Sequence, residues 1–382
     1  MNPVPRYFDF NATTPMSEAA SLVWLETSAK HWQNPSSLYR ESGEARRLLD
    51  DYREQLADYL MIENPERVIF TSGATEANNA VIRHLAVSGN GVLAVSGIEH
   101  PCVEAPVEAF FPETRIRRIP VDAVTGVIDL AVLETWIRNG EVGAVSVMAA
   151  NNETGALQPW QEISRLCRES GLRFHSDAAQ WIGKCAAAGL DQCDFVTGSG
   201  HKFNGGKGVG FLLLPEDFPE VNFHSLIGGP QEEGRRAGTE NLPGIAAMVT
   251  ALLERGEDAL GKIAETQTRH RARFEDLIHT AIGCRVLAAK APRLWNTSMF
   301  VLPHAKNLKW LTRLSQQGFC VSTGSACSAG KGNPSSVMMA MGLDFEEMGR
   351  VIRVSGGWET EAAEWDALAA ALLEIAATLE DQ

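Results

Sequence analysis

A lysine at the end of one apolar run, an aspartate at the end of another and a cysteine set among glycines define the chemistry open to this chain. The lysine is Lys202 in "GSGHKFNGGKGVG", with Ser199 and His201 before it and the turn glycines Gly205, Gly206 and Gly208 after it. An amine at the end of a central strand can reach a buried aldehyde and form a Schiff base once desolvation lowers its pKa. A solvated lysine in a surface turn is the plainer alternative. Upstream, "FHSDAAQ" puts Asp177 at a second strand end. A carboxylate there could pair with a protonated pyridine nitrogen, which pyridoxal phosphate needs to act as an electron sink. It could equally cap a helix.

Three further stretches could complete a site around that pair. "TSGATEANN" opens a helix with Gly73, Ala74 and Thr75, whose backbone N–H groups and hydroxyl suit a phosphate. An ordinary capping turn remains open, although Glu76 is one position late for a strict capping box. "GIEHPC" supplies His100, which could stack on a cofactor ring and move protons near neutral pH, or be structural. "NNETG" supplies Asn152 and Glu153, in a polar turn if not in a site. The cysteine is Cys327 in "VSTGSACSAGKG", a segment of glycines and small residues that predicts a moving carrier rather than a core element.

These residues need a frame. "ERVIFTSG", "GVLAVSG", "VGAVSVMAA", "RFHSD", "DFVTGSG" and "GVGFLLL" read as strands. "TEANNAVIRHLAV", "LAVLETWIRN" and "WQEISRLCRESG" read as helices between them. The alternation predicts an α/β fold, a mainly parallel sheet wrapped by helices, with polar and glycine residues gathered at the strand carboxyl ends where ligands sit. Leu242 to Ile282 reads as one long helix broken near Gly261 and bridging to a second unit. That unit, with "RLWNTSMFVL", "AKNLKWLTRLSQQ" and "GRVIRVSGG", is a smaller α+β domain.

The totals agree with such an enzyme. The chain has 382 residues, enough for two domains, and a formal charge of -14 that argues against a nucleic-acid binder. No stretch reaches the length of a membrane span, and "MNPVPRYFDF" lacks the form of a signal peptide, so the expected location is cytoplasmic. Seven scattered cysteines without a CxxC pair fit neither a disulfide framework nor a structural zinc site. Most, Cys320 included, read as packing residues.

Taken together, these motifs resemble a cysteine desulfurase of the NifS/IscS type, in the class V aminotransferase group of fold-type I pyridoxal-phosphate enzymes. The resemblance runs from "YFDFNATTP" and "NPSSLYRESG" through "FTSGATEANN", "EHPCV", "NNETG", "SDAAQ", "GSGHKFNGGKGVG", "RRAGTENLPG" and "STGSACSAG" to "IRVSGG". It implies a seven-stranded-type sheet, a large domain over 14–250, and a small domain of 1–13 and 251–382 carrying the mobile cysteine loop at about 321–333. It further implies pyridoxal 5'-phosphate bound as a Schiff base to Lys202. Asp177 then pairs with the ring nitrogen, Gln180 bonds the ring hydroxyl and His100 stacks on the ring. Ala74, Thr75, Ser199 and His201 hold the phosphate, joined by Thr239 of a neighbouring subunit, so a homodimer is expected. Asn152 and Arg353 hold the carboxylate of the L-cysteine substrate. Freed Lys202 takes the Cα proton, and Cys327 takes the sulfur as a persulfide, leaving alanine. A sulfur-acceptor protein follows, an iron–sulfur scaffold among the candidates.

Three departures modify the expectation. Gly206 stands where the family commonly has proline, which predicts a looser turn. Trp358 stands where relatives often carry arginine, which predicts a different charge at the substrate entrance. The chain ends at "ATLEDQ" soon after its last helix, whereas members that dock an iron–sulfur scaffold often have a longer tail. The competing readings are a selenocysteine lyase, a β-lyase or aminotransferase without a persulfide step, and a catalytically silent sulfur-relay subunit.

Overall fold

The computed structural model describes residues 6–89, 91–216, 218, 223–324 and 334–380. Cys327 lies outside the described residues.

The elements run β1 (Arg6–Tyr7), α1 (Glu18–Lys30), α2 (Arg40–Tyr59), β2 (Val68–Thr71), α3 (Ala74–Ser88), β3 (Leu93–Ser96), α4 (Pro101–Phe110) and β4 (Ile116–Ile119). Next come α5 (Leu130–Arg138), β5 (Ala144–Ser146), α6 (Trp160–Glu169), β6 (Arg173–Asp177), β7 (Phe195–Ser199) and β8 (Gly210–Leu213). After these lie α7 (Leu242–Leu253), α8 (Glu257–Ile282), β9 (Arg285–Val286), β10 (Thr297–Val301), α9 (Asn307–Gln316) and β11 (Phe319–Cys320). The last are α10 (Ser336–Ala340), α11 (Phe345–Met348), β12 (Val351–Ser355) and α12 (Ala362–Glu380).

Seven strands form one sheet in the order β2-β8-β7-β6-β5-β3-β4, parallel except for β8, which is antiparallel to both neighbours. The exception follows from chain length. The connection from Ser199 to Gly210 is too short for a crossover, so the chain must turn back beside β7. That turn carries Lys202. Helices cover both faces: Leu49, Leu56 and Trp160 pack on one side, and Val81, Ile82 and Val103 on the other. Continuous burial along β2, β3, β7 and β8 is what a doubly covered sheet requires.

The second unit centres on an antiparallel β12-β10-β9 sheet backed by α8, α9 and α12. Its core holds Phe8, Phe274, Phe300, Trp310 and Trp365, with Phe8 and Trp365 packed edge to face, ring centroids 4.9 Å apart. The start of the chain joins it, because β1 pairs in parallel with β11.

All six strands and three helices expected of the first half are present. The seventh strand, β4, was missed because "RIRRIP" alternates with arginines, which suits an edge but hides it among charged loops. The expected break at Gly261 is wrong. Gly261 lies inside α8, and the chain turns at Glu254–Gly256, where extended Gly256 (ψ 163°) precedes Glu257 and Asp258 in the first turn of α8. Gly206 is more than a looser turn: its φ of +85° is one that proline cannot adopt.

Cys102, Cys167, Cys193 and Cys284 are buried, and Cys185 and Cys320 are half-buried. Burial pushes the Cys167, Cys185 and Cys284 thiols up to about 12, and Cys193 and Cys102 also upward. Among the described residues no helix is long and apolar enough to cross a membrane.

Candidate active site

The carboxyl ends of the parallel strands open into a cavity of about 860 Å³. Lys202 enters it from the β7–β8 turn. Its Nζ donates to the carbonyl oxygens of Asn11 and Ala12, at 2.7 and 2.9 Å. Burial, then the charge of Arg353, lowers the amine from its ordinary 10.5 to about 8, against the opposing pull of Asp177 and Asp9. About one tenth of the amine is therefore unprotonated at pH 7, far more than for an ordinary lysine, as a nucleophilic amine requires.

An anion cradle faces that amine. Gly73, at φ +151°, turns the chain from β2 into α3, so Ala74 and Thr75 present the first backbone N–H groups of a fifteen-residue helix to the cavity. A Cβ on Gly73 would stand 3.4 Å from the Ser199 hydroxyl, so glycine keeps the space between helix end and hydroxyl open. His201 also lines the cavity, with Nδ1 3.2 Å from Thr13 Oγ1. Burial and the Lys202 charge push its imidazole down to about 4, so it stands neutral beside the cradle.

Asp177 ends β6 and is held by donors. Its Oδ1 accepts from Ala179 N at 2.9 Å, and its Oδ2 from Asn78 Nδ2 at 2.8 Å and the Cys102 thiol at 3.7 Å. The Asn78 amide is fixed in turn: Thr197 Oγ1 donates to its Oδ1 at 2.7 Å, and His175 Nε2 lies 3.0 Å from the same oxygen. Burial lowers His175 to about 4, so the neutral ring donates through Nε2 and accepts from Ser146 at Nδ1, 2.9 Å away. The carboxylate is thus aimed at the cavity by a chain of four side chains, not used as a helix cap. His100 caps α4, its Nδ1 accepting from Cys102 N at 3.1 Å, and its ring still lines the cavity. Burial lowers its pKa as well.

A guanidinium closes the other wall. Arg353, on β12, donates from Nη1 to the Asn152 carbonyl at 2.9 Å and from Nη2 to Asp9 Oδ1 at 2.5 Å. Both Asn152 and Gln180 line the same space. So do Gly324, Pro334, Ser335 and Ser336, the described residues on either side of the segment that holds Cys327. Ser335 donates to the buried Glu153 carboxylate at 2.8 Å, which ties the later flank to the cavity wall. Thr239 is not among the lining residues.

Sequence reasoning passed over Asp9, Asn11, Asn78, Glu99 and Lys184. Asp9 and Asn11 lie in "FDFNATTP", where neither type nor spacing signals a role. Asn78 sits one turn into α3, buried behind Asp177, and nothing in its spacing marks that role. Glu99 lines the cavity, and burial pushes its carboxyl up to about 8. Trp358 corrects an expectation: it is 5% exposed, packs on Trp295 and Phe10, and donates to the Gly183 carbonyl at 2.9 Å. It fills core rather than an entrance.

The residues present suit pyridoxal 5'-phosphate. A neutralisable amine, a carboxylate held by three donors and a glycine-opened helix end match its aldehyde, ring nitrogen and phosphate in kind.

The aminotransferase class-V family model matches residues 6–368, and this chain, with its mostly parallel sheet and lysine-bearing turn, is a member of that family. Members of that family depend on pyridoxal phosphate. The chain is 35% identical over 384 residues to the cysteine desulfurase of Rhodobacter capsulatus, covering 98% of this chain and 97% of that one. It superposes on the NifS-like protein of Rickettsia africae with a TM-score of 0.86, at 28% identity over 97% of this chain and 99% of the other. A further likeness is to SspA, solved in complex with cysteine, with a TM-score of 0.78, 28% identity, and 92% and 98% coverage.

Proposed function

We propose that this chain is a pyridoxal 5'-phosphate-dependent cysteine desulfurase, which converts L-cysteine to L-alanine and passes the sulfur through Cys327 to an acceptor protein. The observation that carries the reading is convergence: the buried amine of Lys202, the carboxylate of Asp177 and both flanks of the Cys327 segment meet at one cavity. Full-length likeness to cysteine desulfurases supports it.

The cofactor, when bound, supplies an electron sink for the bond broken at the substrate's Cα. Lys202 would hold its aldehyde, Asp177 its ring nitrogen and Gln180 its ring hydroxyl, while His100 covers one ring face. Ala74, Thr75, Ser199 and His201 would hold the phosphate. Arg353 and Asn152 bind the substrate carboxylate, a task suited to the planar fork of arginine. Lys202, unprotonated in part at neutral pH, takes the Cα proton. The Cys327 thiolate then attacks the substrate sulfur. The new S–S bond replaces the C–S bond, whose electron pair stays with the carbon frame and is protonated to alanine. The sulfur leaves on Cys327 as a persulfide.

Thr239 would reach the phosphate from a second copy, which makes a homodimer the working unit. Residues 14–250 form the cofactor domain in this reading, and 1–13 with 251–382 the small domain. The enzyme works in the cytoplasm and feeds iron–sulfur cluster or other thio-cofactor assembly.

The test is to incubate reconstituted protein with L-cysteine and no reductant, then weigh it intact and map the product. We expect added sulfur on the peptide holding Cys327 and an equal yield of alanine. Pyruvate and ammonia without added sulfur would replace this reading with a β-lyase.

A further inference from the structure

Lys184 is a buried amine that none of the roles above uses. It is 1% exposed, and among the described residues no carboxylate pairs with it. Its Nζ donates to Gln180 Oε1 at 2.5 Å and to Asn11 Oδ1 at 3.1 Å. Burial and the nearby Lys202 lower it to about 7, so much of it is neutral at physiological pH. A neutral amine has two N–H donors, and two acceptors stand in place to take them.

The consequence falls on Gln180. An amide has one acceptor end and one donor end, and here the oxygen is taken by Lys184. The Nε2 end therefore faces the other way, donating one N–H to the Asn11 carbonyl at 2.9 Å. Its second N–H remains, on a side chain that lines the cavity. The same Asn11 carbonyl accepts from Lys202 at 2.7 Å. Asn11 is itself pinned, its Nδ2 donating to Thr297 Oγ1 at 2.8 Å and to the Asn152 carbonyl at 3.1 Å. One buried amine thus sets the amide orientation and stands one residue behind the site lysine.

We propose that Lys184 is a positioning residue, which locks the Gln180 amide with its N–H end toward the cavity so that this end can donate to an oxyanion on the bound ring. The proposal rests on the cofactor reading above for the identity of that oxyanion, the ring hydroxyl. Without the lock, only the Asn11 carbonyl holds the amide, and a larger flipped fraction sets its oxygen against the oxyanion, which repels it and favours a proton on the chromophore.

The test titrates the visible band of the reconstituted holoenzyme with pH, in the parent and in Lys184→Met, Gln180→Leu and the double variant. Several other groups face this region: Arg353, Asp177, Asp9 and Cys102 act on Lys202, His100 and His201 stand beside it, and Cys185 and Arg353 act on Lys184. They are the same in all four proteins, so the comparison isolates Lys184. We expect Lys184→Met to raise the midpoint by about one unit, a tenfold change in proton affinity. Acting through the amide, it adds nothing further in the Gln180→Leu background. Should Lys184→Met fail to fold, Lys184→Leu, which also lacks a donor, replaces it, with the same expected direction. An unmoved midpoint overturns the proposal, and so does an equal shift with and without Gln180. A parent that forms the chromophore but gains no sulfur would sink the desulfurase reading alone. A parent without a chromophore would sink both.

Discussion

Arg353 on β12 and Asp9, two residues beyond β1, meet at 2.5 Å within the small unit and set the guanidinium at the wall of the cavity. With Nη1 on the Asn152 carbonyl, the guanidinium has its plane fixed before any substrate arrives. Preorganisation of this kind lowers the cost of binding a carboxylate.

Asp9→Asn should therefore loosen the fork and raise KM for L-cysteine about tenfold, roughly 1.4 kcal/mol. Steady-state kinetics check it. A change confined to kcat would show that Asp9 serves the chemical step instead.

Lys202 carries a prediction that needs no substrate. In the cofactor-free protein its labelling by an amine reagent should rise with pH through about 8, well below an ordinary lysine. In the holoprotein, borohydride should fix the cofactor to the Lys202 peptide. Lys202→Ala should lose both signals and about 10²–10⁴ in turnover. Peptide mass mapping reads both signals, and steady-state kinetics reads the turnover.

His175 couples the network behind Asp177 to acid stability. Its imidazole titrates at about 4 when folded and near 6.5 when unfolded. Between those values the unfolded chain binds the extra proton, so this stabilisation is complete above about 6.5 and is lost as pH falls toward 4. The effect is about 3 kcal/mol across the window. Melting temperatures of the parent should drop on acidification more steeply than those of His175→Gln. Parallel curves would remove His175 from the explanation.

Gly210 lies where sheet and cradle touch. A Cβ there would come within 2.6 Å of Gly73 Cα and 2.5 Å of the Gly198 carbonyl oxygen. Gly210→Ala should cost about 1–3 kcal/mol in stability and weaken cofactor retention by displacing the start of α3. Dialysis followed by absorbance measures the second effect. Tight retention with the full stability loss would mean that the strain is absorbed elsewhere.

Cys327→Ala should still give a spectral change on adding L-cysteine but lose sulfide release by at least about 10²-fold. Undiminished release would assign the sulfur to another thiol.

Much of this architecture was legible because buried strands leave continuous apolar runs, as in "VIF" and "GFLLL", and because parallel topology gathers polar residues at one end of the sheet. Lys202, Asp177 and His100 were readable for that reason. β4 was not, since arginines at an edge resemble a loop, and α7 and α8 were divided at the wrong glycine because Gly261 faces open space inside a helix that tolerates it. Asn78 and Lys184 could not be read at all. Lys184 matters for the amide end it holds and Asn78 for the way its own amide is held against Asp177, properties of three-dimensional hydrogen bonding with no signature in spacing.

The burial that raises the Cys102, Cys167, Cys185, Cys193 and Cys284 thiols has a consequence for a protein that carries reactive sulfur. A thiol held above 9 is almost wholly protonated at neutral pH and makes a poor target for a wandering sulfur atom. The fold thus insulates its own interior from its cargo, and self-inflicted modification at those positions is held in check.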